Sequence, residues 1–496
     1  MIRPRPNGNE PGYLLRLRFV AAARARLVLF VAAAVRRRAC GLARAVAWRF
    51  VSFTVAAAAA VLVAGAPAAR GGESGSDAAA LEKRPLPASW QEAPVRAAWI
   101  VRDALVTEKL ARQSIRDVAE AGMRVAFVQV VGRADAYYDS DYLPRGEAIR
   151  EGGGYDPLAV VLDEAAKCGV EVHAWVNVFL VWSGTRAPRS PAHVVRKHPE
   201  WTIAGADLKS YARLSQKTLE RRGVEGVYLS PSQPGVHEHV RRFVSEILEK
   251  YEVAGIHLDY VRYPHPDAGY DRASREGFER RSGIDPAQIV RNERGLKARL
   301  GREKFALLVD AWRDYKADQV TELVREIGAD VRELRPGAML SAAVRPNPDD
   351  AKTFYGQDWI AWLDEGTLEA AAPMCYVKKT GEFAQIVRKI CDRADGGRVL
   401  AGVSVYNQGA SAAAEKIKAA DACGMLGTSI FSWNSIAEDR GYVRAVRVAM
   451  AERTREPVRE TAAAGVDADS LGRAADVVPA GEPEAAPAAE PGQVAP

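Results

Sequence analysis

The chain has 496 residues, 48% of them hydrophobic and 27% charged, a globular composition with enough apolar side chains for a large core. Its net charge of +6 is a poor guide to partners: the first 50 residues carry eleven Arg and one Glu, which is ten positive charges and leaves residues 51–496 four charges negative. A basic nucleic-acid footprint is therefore absent from the body, and the five scattered cysteines, with no C-x-x-C spacing, point to neither a metal site nor a disulfide framework.

The Arg-rich start runs into an uncharged segment, 50–66, that ends in Ala66-Pro67-Ala68. A basic region, a short apolar core and a small-residue exit read as a secretory signal cleaved before Ala69, and predict export to the periplasm, cell envelope or exterior. The alternative is an uncleaved N-terminal anchor, which is the one membrane contact the sequence suggests. Residues 69–90 read as a Gly/Ser/Ala/Pro-rich linker, and 455–496 as an Ala/Pro/acidic tail with too few large apolar residues to order itself. The folded body is expected over 91–454.

Within it, apolar runs at 96–101, 124–131, 170–177 and 253–259 are followed by others at 339–344, 368–377, 399–406 and 426–433. Segments with helical apolar spacing separate them, at 107–122, 155–169, 236–251, 317–334, 358–364, 381–394 and 411–422, and a last one at 440–453 closes the chain. The second begins at Asp156-Pro157, an N-cap followed by a proline at the first helical position. Eight near-continuous apolar strands alternating with helices predict an α/β protein of the (β/α)8 TIM-barrel class, with long inserted loops after strands three and four at 178–235 and 265–316. A doubly wound sheet fits less well, because no G-x-G-x-x-G or P-loop follows a strand.

Barrel active sites lie at the C-terminal ends of the strands. Those ends bring Asp135, Tyr137 and Tyr138 after strand two; Asn177 on three; His257, Asp259, Arg262 and Tyr263 on four; Arg345 and Asn347 on five; Tyr376 on six; Tyr406 and Asn407 on seven; and Trp433 on eight. Aromatic rings beside amides, carboxylates and guanidinium groups suit a sugar, which stacks on ring faces and needs fixed donors and acceptors for its hydroxyls. Strand alternation puts Gly255, His257 and Asp259 on one face, so Asp259 is the first catalytic candidate. Glycoside hydrolysis needs two carboxyl groups, one to protonate the leaving oxygen and one as nucleophile or base. Asp259 is assigned the second role. No Glu stands at a strand end, so Asp135 is the first choice for the acid, with Asp349, Asp350 and Asp358 as alternatives. Asn177, His257, Arg262, Tyr376 and Trp433 are the candidate sugar contacts. No metal or cofactor is expected.

The segments Arg96-Ala-Ala-Trp-Ile, Val128-Gln-Val-Val-Gly-Arg-Ala-Asp-Ala-Tyr-Tyr138, Glu171-Val-His-Ala-Trp-Val-Asn177, His198-Pro-Glu-Trp201, Gly255-Ile-His-Leu-Asp-Tyr-Val-Arg-Tyr-Pro264 and Gln357-Asp-Trp359, in this order, resemble the bacterial glycosyl-hydrolase-like family ten. The resemblance implies a TIM-barrel glycosidase of the cell envelope acting on a polysaccharide or glycan strand, with peptide-free peptidoglycan as the substrate of one relative. No Cys follows the apolar N-terminal run, so the lipid anchor of that relative is not expected here. The competing reading is a non-catalytic carbohydrate-binding barrel, a cell-wall scaffold that keeps the aromatic groove and lacks a competent acid.

Overall fold

The computed structural model describes residues 83–152 and 154–451. The expected signal segment and its cleavage point, most of the linker and the acidic tail lie outside the described residues.

Ten strands occur in chain order: β1 (Val95–Ile100), β2 (Val125–Val131), β3 (Glu171–Asn177), β4 (Leu180–Trp182), β5 (Val227–Tyr228), β6 (Gly255–Asp259), β7 (Met339–Val344), β8 (Ala370–Pro373), β9 (Leu400–Ser404) and β10 (Gly427–Phe431). Eight form one parallel sheet in the order β8-β7-β6-β3-β2-β1-β10-β9. Parallel bridges from Ala371 to Val399 and from Met374 to Gly402 join β8 to β9 and bring the two ends together, so the sheet is a (β/α)8 barrel. Every predicted barrel strand is present.

All eight staves are buried on both faces, yet their side chains sort by parity. Ala97, Trp99, Phe127, Trp175, Met339, Ala343, Ala370, Ala372 and Leu400 fill the barrel interior. Their neighbours Ala98, Ile100, Ala126, Val128, Val176, Ile256, Leu258, Leu340 and Val403 pack outward under the helices. Large rings inside are matched by small residues opposite, as a tapering barrel requires. Gly427 is one of these: a Cβ there would lie 2.0 Å from the carbonyl oxygen of Val95 across the β1–β10 pair.

The helices begin and end where the sequence signals them. Asp156 accepts from the Ala159 N–H ahead of Pro157, and Gly169 closes that helix in the left-handed region. The insertion after β3 carries the antiparallel pair β4–β5 and leads into the expected barrel helix, Pro234–Lys250. The insertion after β6 departs from expectation: it is mostly helical, with helices Arg272–Ser282, Ala287–Arg291 and Glu293–Leu300. The following helix runs Arg302–Leu334 rather than starting at 317. Its extra turns place Phe305, Leu308, Trp312 and Tyr315 against Tyr270, Phe278 and Leu296, a separate apolar cluster that makes helix the favourable state there. Cys391 and Cys423 are adjacent free thiols, Cys391 Sγ donating to the Cys423 carbonyl at 3.3 Å. No helix among the described residues is long and apolar enough to cross a membrane.

Candidate active site

Asp259 is the last residue of β6, its Cα level with Asn177 on β3, and its side chain belongs to the inward-facing series of His257 and Gly255. Tyr260 follows with φ +50°, a left-handed conformation unusual for a residue with a Cβ, and its N–H donates to Asp259 Oδ1 at 2.7 Å. The turn thus aims the carboxyl into the barrel mouth instead of letting the strand continue. Burial pushes the Asp259 carboxyl up to about 6, beyond what the Tyr260 N–H, Arg262 and the indole of Trp175 do to favour the anion. The charge of Glu225 adds to the rise.

Glu225 is the second carboxyl of the site, and it comes from the insertion, two residues before β5. It accepts from Arg262 Nη2 at 2.8 Å and from the Tyr228 hydroxyl at 2.8 Å, and its side chain keeps 28% of its surface exposed. Burial works to raise this carboxyl, but the Arg262 guanidinium outweighs it and holds Glu225 below the ordinary range. Two neighbouring carboxyls are therefore driven apart, one toward the acid and one toward the anion, which is the arrangement that acid–base chemistry on a sugar uses.

The aromatic wall is made by Tyr376 stacked on Phe431, with ring centroids 5.2 Å apart, and by Tyr406 edge-on to both. Trp99 lies beneath, edge-on to Tyr376 and Phe431. Burial and then the charge of Asp259 raise the Tyr376 phenol well above its usual range, so it stays a neutral hydrogen-bonding group beside that carboxyl.

The remaining predicted residues are placed as follows. Arg262 is buried, bound to Glu225, and lies 5.1 Å over the Tyr260 ring. Asn177 is buried at the rim and donates to the Gly132 carbonyl at 2.8 Å, fixing the loop after β2. Asp135 is buried in that loop, where Oδ1 accepts from the Arg133 N–H at 2.9 Å around Ala134, itself at φ +54°. His257 sits one pleat below Asp259 with no exposed surface: Nε2 accepts from the Trp99 indole at 3.0 Å, Nδ1 faces Ser341 Oγ at 2.9 Å, and the ring stacks on Phe127. It is a barrel-core residue that supports the site from below. Trp433 follows β10 in a 3-10 turn and packs into the outer, helix-facing core, away from the Tyr376–Phe431 wall. Asp349 pairs with Arg393 at 2.6 Å, Asp358 with Lys352 at 2.6 Å, and Asp350 accepts from Asn347 at 2.8 Å, so these three serve the surface and a helix start. Among the described residues no group of three His, Cys, Asp or Glu could hold a metal ion.

Residues 94–418 match the model of the family described as glycosyl hydrolase-like 10. The chain belongs to this family. Its curated relatives include the glycosyl hydrolase YngK of Bacillus subtilis, 25% identical over 59% of this chain and 54% of that protein. Another is the glycosyl hydrolase DigH of Escherichia coli K12, 22% identical over 51% of this chain and 55% of that protein. The chain thus spans about half the length of the curated relatives it matches. Among solved structures, the glycoside hydrolase domain of PgaB from Bordetella bronchiseptica superposes with a TM-score of 0.55 at 13% identity, over 73% of this chain and all of that one. The catalytic domain of a Paenibacillus polymyxa β-amylase gives 0.51 at 12%, over 73% of this chain and 99% of that one. At these identities the likeness is one of fold. The glycosyl hydrolase-like 10 match covers every stave from β1 to β9 and both insertions, and so includes Glu225 and Asp259.

Proposed function

We propose that this protein is an exported glycoside hydrolase that cleaves O-glycosidic bonds within a polysaccharide, with Asp259 as the proton donor and Glu225 as the carboxylate that acts as nucleophile or activates water. The observation that carries the reading is the opposite treatment of two neighbouring carboxyls, Asp259 desolvated toward its neutral form and Glu225 held ionised by Arg262. The sequence alone had suggested the ionised role for Asp259. A carboxyl pushed up to about 6 is better suited to donate a proton, and a carboxylate clamped by a guanidinium is better suited to remain charged. The wall of Tyr376, Phe431 and Tyr406 offers ring faces for a pyranose. The scaffold reading rests on the lack of a competent acid; the desolvated Asp259 carboxyl, with Glu225 as its ionised companion, supports the catalytic reading over it. Export is supported by the basic, apolar and small-residue succession of residues 1–69.

The test is release of reducing ends from purified glycans, beginning with peptide-free peptidoglycan strands, by the wild type, Asp259→Asn and Glu225→Gln. Both variants should lose activity by orders of magnitude. Aryl glycosides whose leaving group needs no proton should restore turnover to Asp259→Asn, and added azide should restore it to Glu225→Gln. In the wild type, kcat/KM should fall as pH rises through about 6, where Asp259 gives up its proton. Aryl rescue of the Glu225 variant in place of the Asp259 variant would reverse the roles; activity of both variants within a few-fold of wild type would remove the assignment.

A further inference from the structure

Two cysteines that lie 32 positions apart in the chain meet between neighbouring helices of the barrel. Cys391 is the last residue of helix Thr380–Cys391, which carries the chain from β8 to β9, and Cys423 caps helix Ala410–Ala422, which carries it from β9 to β10. Their thiols are in hydrogen-bonding contact, and Cys391 Sγ also reaches the Cys423 carbonyl at 3.3 Å. The backbone beyond them holds the same juxtaposition: the Leu426 N–H donates to the Gly396 carbonyl at 2.8 Å, and a Cβ at Gly396 would lie 3.3 Å from the Gly424 carbonyl oxygen. Gly424, at φ +74°, makes the turn that follows Cys423. Both thiols are half-buried.

The surroundings do not favour a reactive thiolate. Burial, then the contact with the Cys423 thiol and the charge of Asp392, push the Cys391 thiol up to about 12, whereas a nucleophilic or redox-catalytic cysteine sits where positive charge pulls its thiol down. The helix ends that meet here are both C-terminal ends, whose partial negative charge also disfavours a thiolate. The pair therefore suits a cross-link made while the chain folds and then sealed, in preference to a dithiol that exchanges in the folded protein.

A bond at this place would act on the weakest closure of the barrel. Seven neighbouring pairs of staves are joined by continuous ladders, while β8 and β9 meet through the isolated bridges Ala371 to Val399 and Met374 to Gly402. A cross-link from Cys391 to Cys423 encloses the whole of β9, the stave on one side of that seam. The staves β8, β9 and β10 also carry the aromatic wall at their upper ends, Tyr376 after β8, Tyr406 after β9 and Phe431 closing β10. We propose that Cys391 and Cys423 form a structural disulfide once the chain is in an oxidising compartment, a staple that keeps β9 in place across the seam beneath the aromatic wall. The proposal rests on the export reading above, since thiols are kept reduced inside the cytoplasm, and adds a covalent modification to it. Each thiol gives up its hydrogen and one S–S bond forms, while two electrons and two protons pass to the disulfide of a thiol-oxidising protein, which leaves as a dithiol.

The experiment uses the full-length chain prepared in two ways, recovered from the envelope or medium of the cells that make it, and purified from a reducing cytoplasm and then refolded in a glutathione buffer set to the poise of an oxidising compartment. Free thiols are alkylated in denaturant without reduction, and the cysteines are mapped by peptide mass spectrometry. Both preparations should yield the peptides of Cys391 and Cys423 joined, lighter than their sum by the mass of two hydrogens, with Cys168 and Cys375 alkylated. Reduction should lower the thermal midpoint of the joined protein by about 5 °C, as expected for a closed loop of this length in a large domain. Cys391→Ser and Cys423→Ser should each start at the lower midpoint and not respond to reductant. Free Cys391 and Cys423 in the chain recovered from outside the cytoplasm, or a joined pair whose reduction leaves the midpoint unchanged, would overturn the proposal without bearing on glycan cleavage. If the chain is found inside the cell alone, export is overturned, and the refolded protein decides the cross-link: a joined pair upholds it and free thiols overturn it.

Discussion

Asp259→Asn should make the protein more stable at neutral pH, and the size of the gain can be worked out from the carboxyl's surroundings. The ordinary value for this carboxyl is 3.8, and in the fold it is pushed up to about 6 because burial penalises the anion. The folded state therefore holds the proton more tightly than the unfolded chain does. The associated stability is fully present below the unfolded value of 3.8 and is lost as pH rises through 6. A difference of roughly two pH units corresponds to about 3 kcal/mol of destabilisation in the wild type above neutrality. Asn carries no charge at any pH, and its Oδ1 can still accept from the Tyr260 N–H, so the substitution removes the penalty and keeps the turn. Denaturant unfolding of both proteins at pH 8 and near pH 4 checks this. The variant should be more stable by about 3 kcal/mol at the higher pH and nearly equal to wild type at the lower, the difference opening between the two carboxyl values. A gap that is the same at both pH values, or an Asn variant less stable at pH 8, would mean that Asp259 is not a desolvated carboxyl, and the argument for its role as proton donor would go with it.

Arg262→Ala should cost about 2–3 kcal/mol, toward the low end for a buried ion pair because Glu225 keeps part of its surface in water. A double-mutant cycle with Glu225→Gln should show the two positions strongly coupled. Gly427→Ala should be among the most damaging single substitutions in the barrel, since its Cβ would meet the Val95 carbonyl at 2.0 Å and force β1 and β10 apart. A thermal midpoint within a degree or two of wild type would contradict the pairing at that position.

The barrel was legible because its staves obey a local rule. Each is a short apolar run bounded by polar turns, and parity along 253–259 was enough to place Asp259 on the inner face. Glu225 could not be found this way. It stands in an insertion, ahead of a two-residue strand, and its partner Arg262 is 37 positions away, so no periodicity or spacing announces it. The one local signal is Tyr228, three residues further on, whose hydroxyl donates to Glu225. Phe431 and Trp433 show the limit of parity at a strand end. Both lie on the same face of an ideal strand, yet β10 stops at Phe431 and the 3-10 turn that follows carries Trp433 into the outer core. The larger ring therefore packs the core, and the smaller one lines the site. The helix of Arg302–Leu334 was shortened in the sequence reading because its first turns pack on a local cluster built from the insertion itself, which no barrel repeat predicts.

Several unfavourable features of the described structure lie where the chemistry is proposed. Tyr260 and Ala134 hold left-handed conformations next to Asp259 and Asp135, Asp259 is desolvated, and Arg133 Nε is buried without a partner. Backbone strain of this kind costs on the order of 1–3 kcal/mol per residue and persists only where the surroundings over-determine it. Here the surroundings are the interior rings of Trp99, Phe127, His257 and Trp175, locked by the Trp99–His257–Ser341 hydrogen bonds directly beneath the site. A rigid layer of aromatic side chains one pleat below Asp259 lets the rim remain strained and charged without the barrel relaxing to relieve it. Softening that layer should therefore affect activity before it affects folding. His257→Gln is the variant that tests this, since it keeps hydrogen-bonding capacity and loses the stacking on Phe127. Its kcat should drop more than its KM rises or its unfolding midpoint falls, and equal losses in all three would show that His257 does no more than fill the core.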